Sequence, residues 1–231
     1  MIYSFLLLAL GFLLFYLQVR QKSLQTFDQA LEWRHFYFHL TMTVVIGAEV
    51  ALLNKLDFFK VYSGQNLLNI SSWPLLIQVV LAVLVLDALS YYWHRLNHET
   101  YWLWEFHKFH HKSTTMDPFM AYRFHPVEVL LGYHLRAFFI WALGFDLAAL
   151  QIFVFIYGAL NLLQHSNVFW ADSIDESLRR LIVTPRVHHI HHSQEEAHQK
   201  SNYGTIFTIW DQLFLTYRPP KPSDQIQIGL K

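Results

Sequence analysis

Five apolar blocks along the chain approach the roughly 20 residues that a helix needs to cross a bilayer. Ile2–Val19, IYSFLLLALGFLLFYLQV, carries no charge. It has neither a basic start nor an A-x-A cleavage site, so it is expected to stay as an anchor rather than to be removed as a signal peptide. Phe36–Leu53 is broken by His39 and Glu49. Trp73–Trp93 opens with Pro74, suited to a first helical turn where its missing N–H does no harm. Val127–Phe145 and Leu147–Leu163 meet at Gly144-Phe145-Asp146, which predicts a hairpin that crosses the bilayer fully or dips partly into it. Glu128, His134 and Arg136 make the first arm of that hairpin the weakest span. The segments 94–125 and 166–231 are polar, and Pro219, Pro220 and Pro222 mark an irregular tail. The pattern predicts an all-α integral membrane bundle of about four to five transmembrane or partly inserted helices with a polar helical cap. Residues 1–72 are expected to form the N-terminal membrane anchor and residues 73–231 a catalytic domain.

Charge gives the bundle a direction. If all five blocks cross, 14 of the 17 Lys and Arg fall on one side, in residues 18–35, 94–126 and 164–231, and the other side holds Lys55 and Lys60. The side rich in Lys and Arg is expected to be cytoplasmic. Composition narrows the class further. Charged residues make up only 15% of the chain and hydrophobic ones 54%, against a usual charged share of roughly 25%. A buried-helix soluble protein is the poorer reading, because an uncharged 18-residue start is hard to bury at this size. With 0 Cys there is no disulfide framework, thiolate zinc site, iron–sulfur cluster or catalytic thiol. A net charge of +0 gives no electrostatic footprint for nucleic acid.

The chemistry lies in the 15 His, of which all but His35 and His39 fall between residues 94 and 198. His94 and His98 stand at i, i+4, and His107, His110 and His111 at i, i+3, i+4. On helices, each set points its imidazoles to one face. His165 follows the fifth block, and His188, His191 and His192 repeat the H-x-x-H-H spacing. Neutral imidazole ligates divalent iron, copper, zinc or nickel, and one ion takes three to five protein ligands. Nine imidazoles are too many for one ion and suit two. The hairpin crosses twice between the early and late groups, so all nine can meet on one side. Asp87, seven residues before His94, is expected to hold the Nδ1 proton of a ligand His. His125 is a further candidate for that supporting shell. His189 falls off the i, i+3, i+4 pattern; His35, His39, His134 and His198 read as interface or surface residues. Tyr91, Tyr92, Trp93, Trp102 and Trp104 are expected in an aromatic interfacial belt, and Arg179, Arg180 and Arg186 to serve topology and lipid headgroups.

As a set, these motifs resemble the fatty acid hydroxylase / sterol desaturase superfamily. The matching elements are His94-Arg95…His98, Phe106-His107…His110-His111, His165-Ser166-Asn167 and Pro185…His188…His191-His192-Ser193. Asp87…Tyr91…His94, Phe124-His125-Pro126…Glu128, Asn202-Tyr203-Gly204 and Trp210-Asp211 also match, so the likeness runs from about Asp87 to Tyr217. Two positions depart from the pattern: Asn161 stands where some members have a further His, and Leu215 where Gly is usual. The resemblance implies a membrane enzyme that uses two non-haem irons, held by the nine His, and O2 to hydroxylate or desaturate an unactivated C–H bond of a fatty acyl, sterol or related lipid. Electrons are then expected from an external donor of cytochrome b5 or ferredoxin type, since the sequence has no G-x-G-x-x-G and no haem domain. A bacterial inner membrane is the expected location ahead of the endoplasmic reticulum. A non-redox membrane metal-binding or transport protein is the alternative. Transporters place ligands at mid-span, whereas these groups lie beyond the ends of the apolar blocks. Zinc hydrolysis lacks its H-E-x-x-H carboxylate here.

Overall fold

The structure, a computed structural model, describes residues 2–20, 33, 37, 41, 44, 66–168, 170–221 and 226–231. It contains α1 (Ile2–Arg20), α2 (Leu75–Glu99), α3 (Tyr101–His111), α4 (Pro126–Leu143), α5 (Leu147–His165), α6 (Asp172–Leu178), α7 (Pro185–His191), α8 (Glu196–Gln199) and α9 (Ile209–Leu213). Two 3-10 turns, Ile70–Ser72 and Pro118–Tyr122, join them. Among the described residues there is no strand, only the isolated bridges Ile182–Phe207 and Ser193–Ile228. The predicted block Phe36–Leu53 lies outside the described residues, apart from three isolated helical positions.

Four helices, α1, α2, α4 and α5, are long and apolar enough to cross a membrane, and the chain is an integral membrane protein. Their exposed faces carry Phe5, Leu76, Val80, Leu84, Phe138 and Val154, the surface that lipid covers in place of water. The inward faces pack α2 against α5 through Ala82, Leu86 and Phe153, with Phe139 and Ile140 of α4 against them. The hairpin forms because Gly144 takes the left-handed conformation that ends α4, φ 69°, and Asp146 caps α5 by accepting from Ala148 N at 2.9 Å. α1 is more than a tether. Its Phe15 packs on Phe119, and its buried Gln18 accepts from Asn167 N at 3.0 Å, beside the His165 end of α5.

One buried carboxylate, Asp87, joins the cap (α6–α9 and its loops) to α2, and a second, Asp211, ties the cap's own loop together. Asp87 accepts from Ile206 N at 2.8 Å, Phe207 N at 3.1 Å and Trp210 Nε1 at 2.7 Å. Asp211 accepts from Tyr203 N and Gly204 N, both at 2.8 Å, and from Thr216 Oγ1 at 2.7 Å. Both hold the 201–217 loop against the end of α2 that carries its histidines. In that loop Leu215 adopts left-handed backbone, φ 58°, at a cost of about 1–2 kcal/mol for a side chain with a Cβ.

Candidate metal centre

α2 continues past the apolar block for two turns, which carries His94 and His98 inward on one face. α3 starts after a break at Thr100 and presents His107, His110 and His111 to the same space. The α4–α5 hairpin brings His165 back to that end, and α7 closes it with His188, His191 and His192. The nine predicted imidazoles sort into two groups: His94, His98, His107, His111 and His191, and His110, His165, His188 and His192. In each group one ring nitrogen per residue lies within 4.8 Å of all the others. The groups adjoin, with the His111 and His192 rings stacked at 4.3 Å.

The donor set fits divalent ions. In the second group, His165 Nε2 lies 3.2 Å from His110 Nε2 and 3.0 Å from His188 Nε2, and His192 Nε2 lies 3.1 Å from His188 Nε2. Imidazole nitrogens roughly 2.1 Å from a shared ion stand about 3.0 Å apart at a right angle and about 3.4 Å apart at the tetrahedral angle, so these spacings match. In the first group, the Nε2 atoms of His98, His107 and His191 and both nitrogens of His111 are buried with no hydrogen bond among the described residues. Unpaired buried nitrogen is costly unless something ligates it. Burial, followed by mutual repulsion between imidazoles, drives the basicity of His110, His111, His188 and His192 well below the usual histidine range. Burial also lowers His191 to about 3. The rings are therefore neutral at ordinary pH, the form that donates a lone pair to a metal.

Oxygen atoms behind the rings fix their tautomers. His107 Nδ1 donates to Glu128 Oε1 at 2.7 Å, His94 Nδ1 to Tyr203 O at 2.9 Å and His191 Nδ1 to Ser201 O at 2.7 Å. His165 Nδ1 donates to Asn161 O at 2.8 Å. Each bond turns the opposite nitrogen, Nε2, toward its group. The first group has three such braces; in the second, Nδ1 of His110, His188 and His192 has no partner among the described residues. Asn161, where a further His stands in some resembling sequences, leaves the second group with four rings against five in the first.

Several expectations for the surrounding residues are corrected. Asp87 does not hold a ligand Nδ1, because its two oxygens are taken by the 206–210 loop and the Tyr203 carbonyl occupies that place on His94. Asp87 thus supports the site one step removed. His125 caps α4, its Nδ1 accepting from Val127 N at 3.2 Å. The carboxyl beside the centre is Glu128, three residues later. Its signal in the sequence is an acid in the first turn of a largely apolar block. His198 is buried, not on the surface, and pairs with Ser193 Oγ at 2.7 Å. His189 stays outside both groups and contacts Ser166 O at 3.1 Å. The Trp104 ring packs 5.0 Å from that of His98.

Comparison with known proteins agrees with this geometry. The family described as fatty acid hydroxylase matches residues 79–216, which holds all nine imidazoles. The chain is 37% identical to the ornithine lipid hydroxylase of Rhizobium tropici over 65% of this chain and 45% of that protein. It is 28% identical to a Delta(7)-sterol 5(6)-desaturase of Gibberella zeae over 79% of this chain and 49% of that protein. It is 30% identical to an alkylglycerol monooxygenase of Xenopus tropicalis over 61% of this chain and 30% of that protein. The matched part is less than half the length of each relative. No solved structure matches the chain.

Proposed function

The chain belongs to the fatty acid hydroxylase family, and from that premise we propose that it oxidises an unactivated C–H bond of a membrane lipid at a non-haem di-iron centre. The observation that carries this reading is the pair of adjoining His groups gathered at one end of the membrane helices. His94, His98, His107, His111 and His191 would hold one iron, and His110, His165, His188 and His192 the other. A bound pair of irons would supply O2 activation and the two-electron oxidation of the C–H bond.

The protein's part is to orient and to seclude. Glu128 and the carbonyls of Tyr203, Ser201 and Asn161 take the Nδ1 protons and keep four imidazoles in the tautomer that presents Nε2. Burial of eight of the nine imidazoles, all but the part-buried His94, keeps bulk water from the reacting region. The open apolar faces of α2 and α4 meet lipid directly, which supports a bilayer substrate. No described side chain beside the centre stands as a general acid or base. Residues 73–231 carry the catalytic unit in this reading, and electrons reach it from a separate carrier of cytochrome b5 or ferredoxin type. The Lys/Arg bias supports a cytoplasmic face for the centre, as in a bacterial inner membrane. The name of the Rhizobium relative, an ornithine lipid hydroxylase, supports an ornithine-containing membrane lipid as the substrate to test first.

Purified protein is expected to carry close to two irons. Lipid profiles of cells with and without the gene are expected to differ by a mass shift of one oxygen or two hydrogens. Replacing His107, His110, His191 or His192 with Ala is expected to abolish that shift and leave membrane insertion intact. Full activity in two of those variants would refute the centre. Labelled O2 separates the two outcomes, since only a hydroxylase leaves oxygen in its product.

A further inference from the structure

A second surface lies apart from the histidines. α9 and the turn after it expose Ile209, Leu213, Phe214 and Leu215, the last at 92%. Leu178 and Leu181 are exposed beside them, since Thr208 N donates to Leu181 O at 3.1 Å and Gln212 Nε2 to Arg180 O at 2.9 Å. Leu215 holds strained left-handed backbone, and in water its side chain would gain nothing for that strain.

Aromatic contacts set the depth of this patch. Phe214 stacks on Tyr91 with ring centroids 5.5 Å apart and meets Tyr92 edge-on at 5.2 Å. With a rise of about 1.5 Å per residue, Tyr92 stands roughly 26 Å along α2 from Leu75, still within a hydrocarbon layer about 30 Å thick. The outward face of α2 over that length, Leu76, Val80, Leu84 and Tyr92, is exposed and must be covered by lipid. The patch adjoins that face at Phe214. Arg180 is exposed at its margin, whereas Arg179 and Arg186 are paired with Asp175 and Asp172.

We propose that the 209–215 edge of the cap, with Leu178 and Leu181, is seated in the same bilayer that α2 crosses, with Arg180 at the level of the lipid headgroups. Lipid is favoured over a second copy of the chain because the patch continues a surface that lipid already covers. The seating bears on the centre: Asp211 and Thr216, within or next to the seated turn, hold the loop whose Tyr203 carbonyl accepts from His94.

The absence of Cys makes the test direct. Single-Cys variants Leu213→Cys and Leu215→Cys, with Leu84→Cys as a within-span reference and Glu196→Cys as a water-facing one, are labelled with an environment-sensitive fluorophore. They are reconstituted in phosphatidylcholine vesicles, with or without lipid carrying a shallow doxyl group. Shallow doxyl lipid is expected to quench positions 213 and 215 more strongly than 84, which lies about 14 Å along α2 from Leu75 near the middle of the layer, and aqueous iodide to quench them several-fold less than 196. Iodide quenching equal to that at 196 overturns the proposal by placing the patch in water. Shielding from both quenchers overturns it in favour of a covering protein surface. Two labelled sites keep the test decisive if one variant fails to insert, and the readout is independent of the proposed enzymatic activity.

Discussion

The bond between His107 and Glu128 offers the sharpest test of how the first His group works. Its partners are both buried and lie 2.7 Å apart, Nδ1 to Oε1. A buried hydrogen bond to a carboxylate contributes about 1.5–3 kcal/mol, which corresponds to roughly 10- to 150-fold in an equilibrium constant. In Glu128→Gln the amide oxygen can still accept from Nδ1, so tautomer and ring angle persist and the loss falls at the lower end. In Glu128→Ala the acceptor is gone, His107 can rotate, and the loss falls at or beyond the upper end. His107 belongs to one group only, so the effect is confined to one ion. The assay is a graded chelator titration of the iron-loaded membrane protein, reading the release of each ion. The expected result is two phases: one moved to lower chelator concentration by the graded amounts above, and one unmoved. Release at the wild-type concentration in both variants would show that the carboxyl does not support a ligand. An equal shift of both phases would show that Glu128 acts on the fold and not on His107.

Three further outcomes follow from the same geometry. In metal-stripped protein, burial lowers His189 to about 4 and His191 to about 3, against about 6.5 in the unfolded chain, so the unfolded state binds more protons across that interval. Stability is therefore full above about pH 6.5 and falls as the pH drops toward 3–4, by on the order of 3 kcal/mol for His189 alone, and a flat thermal-melting profile over that range would contradict it. Asp87→Asn leaves one acceptor for three donors, so melting is expected to fall by about 1–3 kcal/mol with residues 201–217 becoming protease-sensitive, and unchanged proteolysis would count against the clamp. Gly204→Ala would place a Cβ 2.6 Å from Phe207 O and 2.8 Å from Asp211 Oδ2, so the loop must shift and take the Tyr203 carbonyl from His94; metal analysis is expected to show loss from the five-His group first.

The sequence revealed the candidate ligands more fully than their supports, and the reason is physical. Imidazoles at i, i+3 and i+4 are a pattern that a helix alone converts into a shared face, so His94 with His98 and His107 with His111 needed no tertiary knowledge. The return of His165 and the last group followed from counting apolar blocks. The braces had no such local signature. Three of the four are backbone carbonyls, which every residue carries, and only folding shows that Tyr203, Ser201 and Asn161 are the ones used. Asp87 misled for the opposite reason. Its spacing from His94 placed it on a suitable helical face, but loop donors from residues more than 100 positions away claimed both its oxygens.

The two kinds of His motif also explain each other. A helix turns about 100° per residue, so rings at i and i+4 lie about 40° apart while the ring at i+3 swings about 60° to the other side. H-x-x-x-H therefore addresses one ion, and α2 gives both of its rings to the first group. H-x-x-H-H addresses two directions. α3 gives His107 and His111 to the first group and His110 to the second, while α7 gives His188 and His192 to the second and His191 to the first. The i, i+4 pair of each helix thus sits with the odd ring of the other, so α3 and α7 each contribute to both groups. The first group is incomplete until α7 has docked His191, and the second until α5 has returned His165 and α7 has docked His188 and His192. The five-ring group has three oxygen braces and the four-ring group one, so an ion held by His110, His165, His188 and His192 is expected to leave first in a chelator titration of the wild-type protein, and release from the five-ring group first would refute the role of the braces.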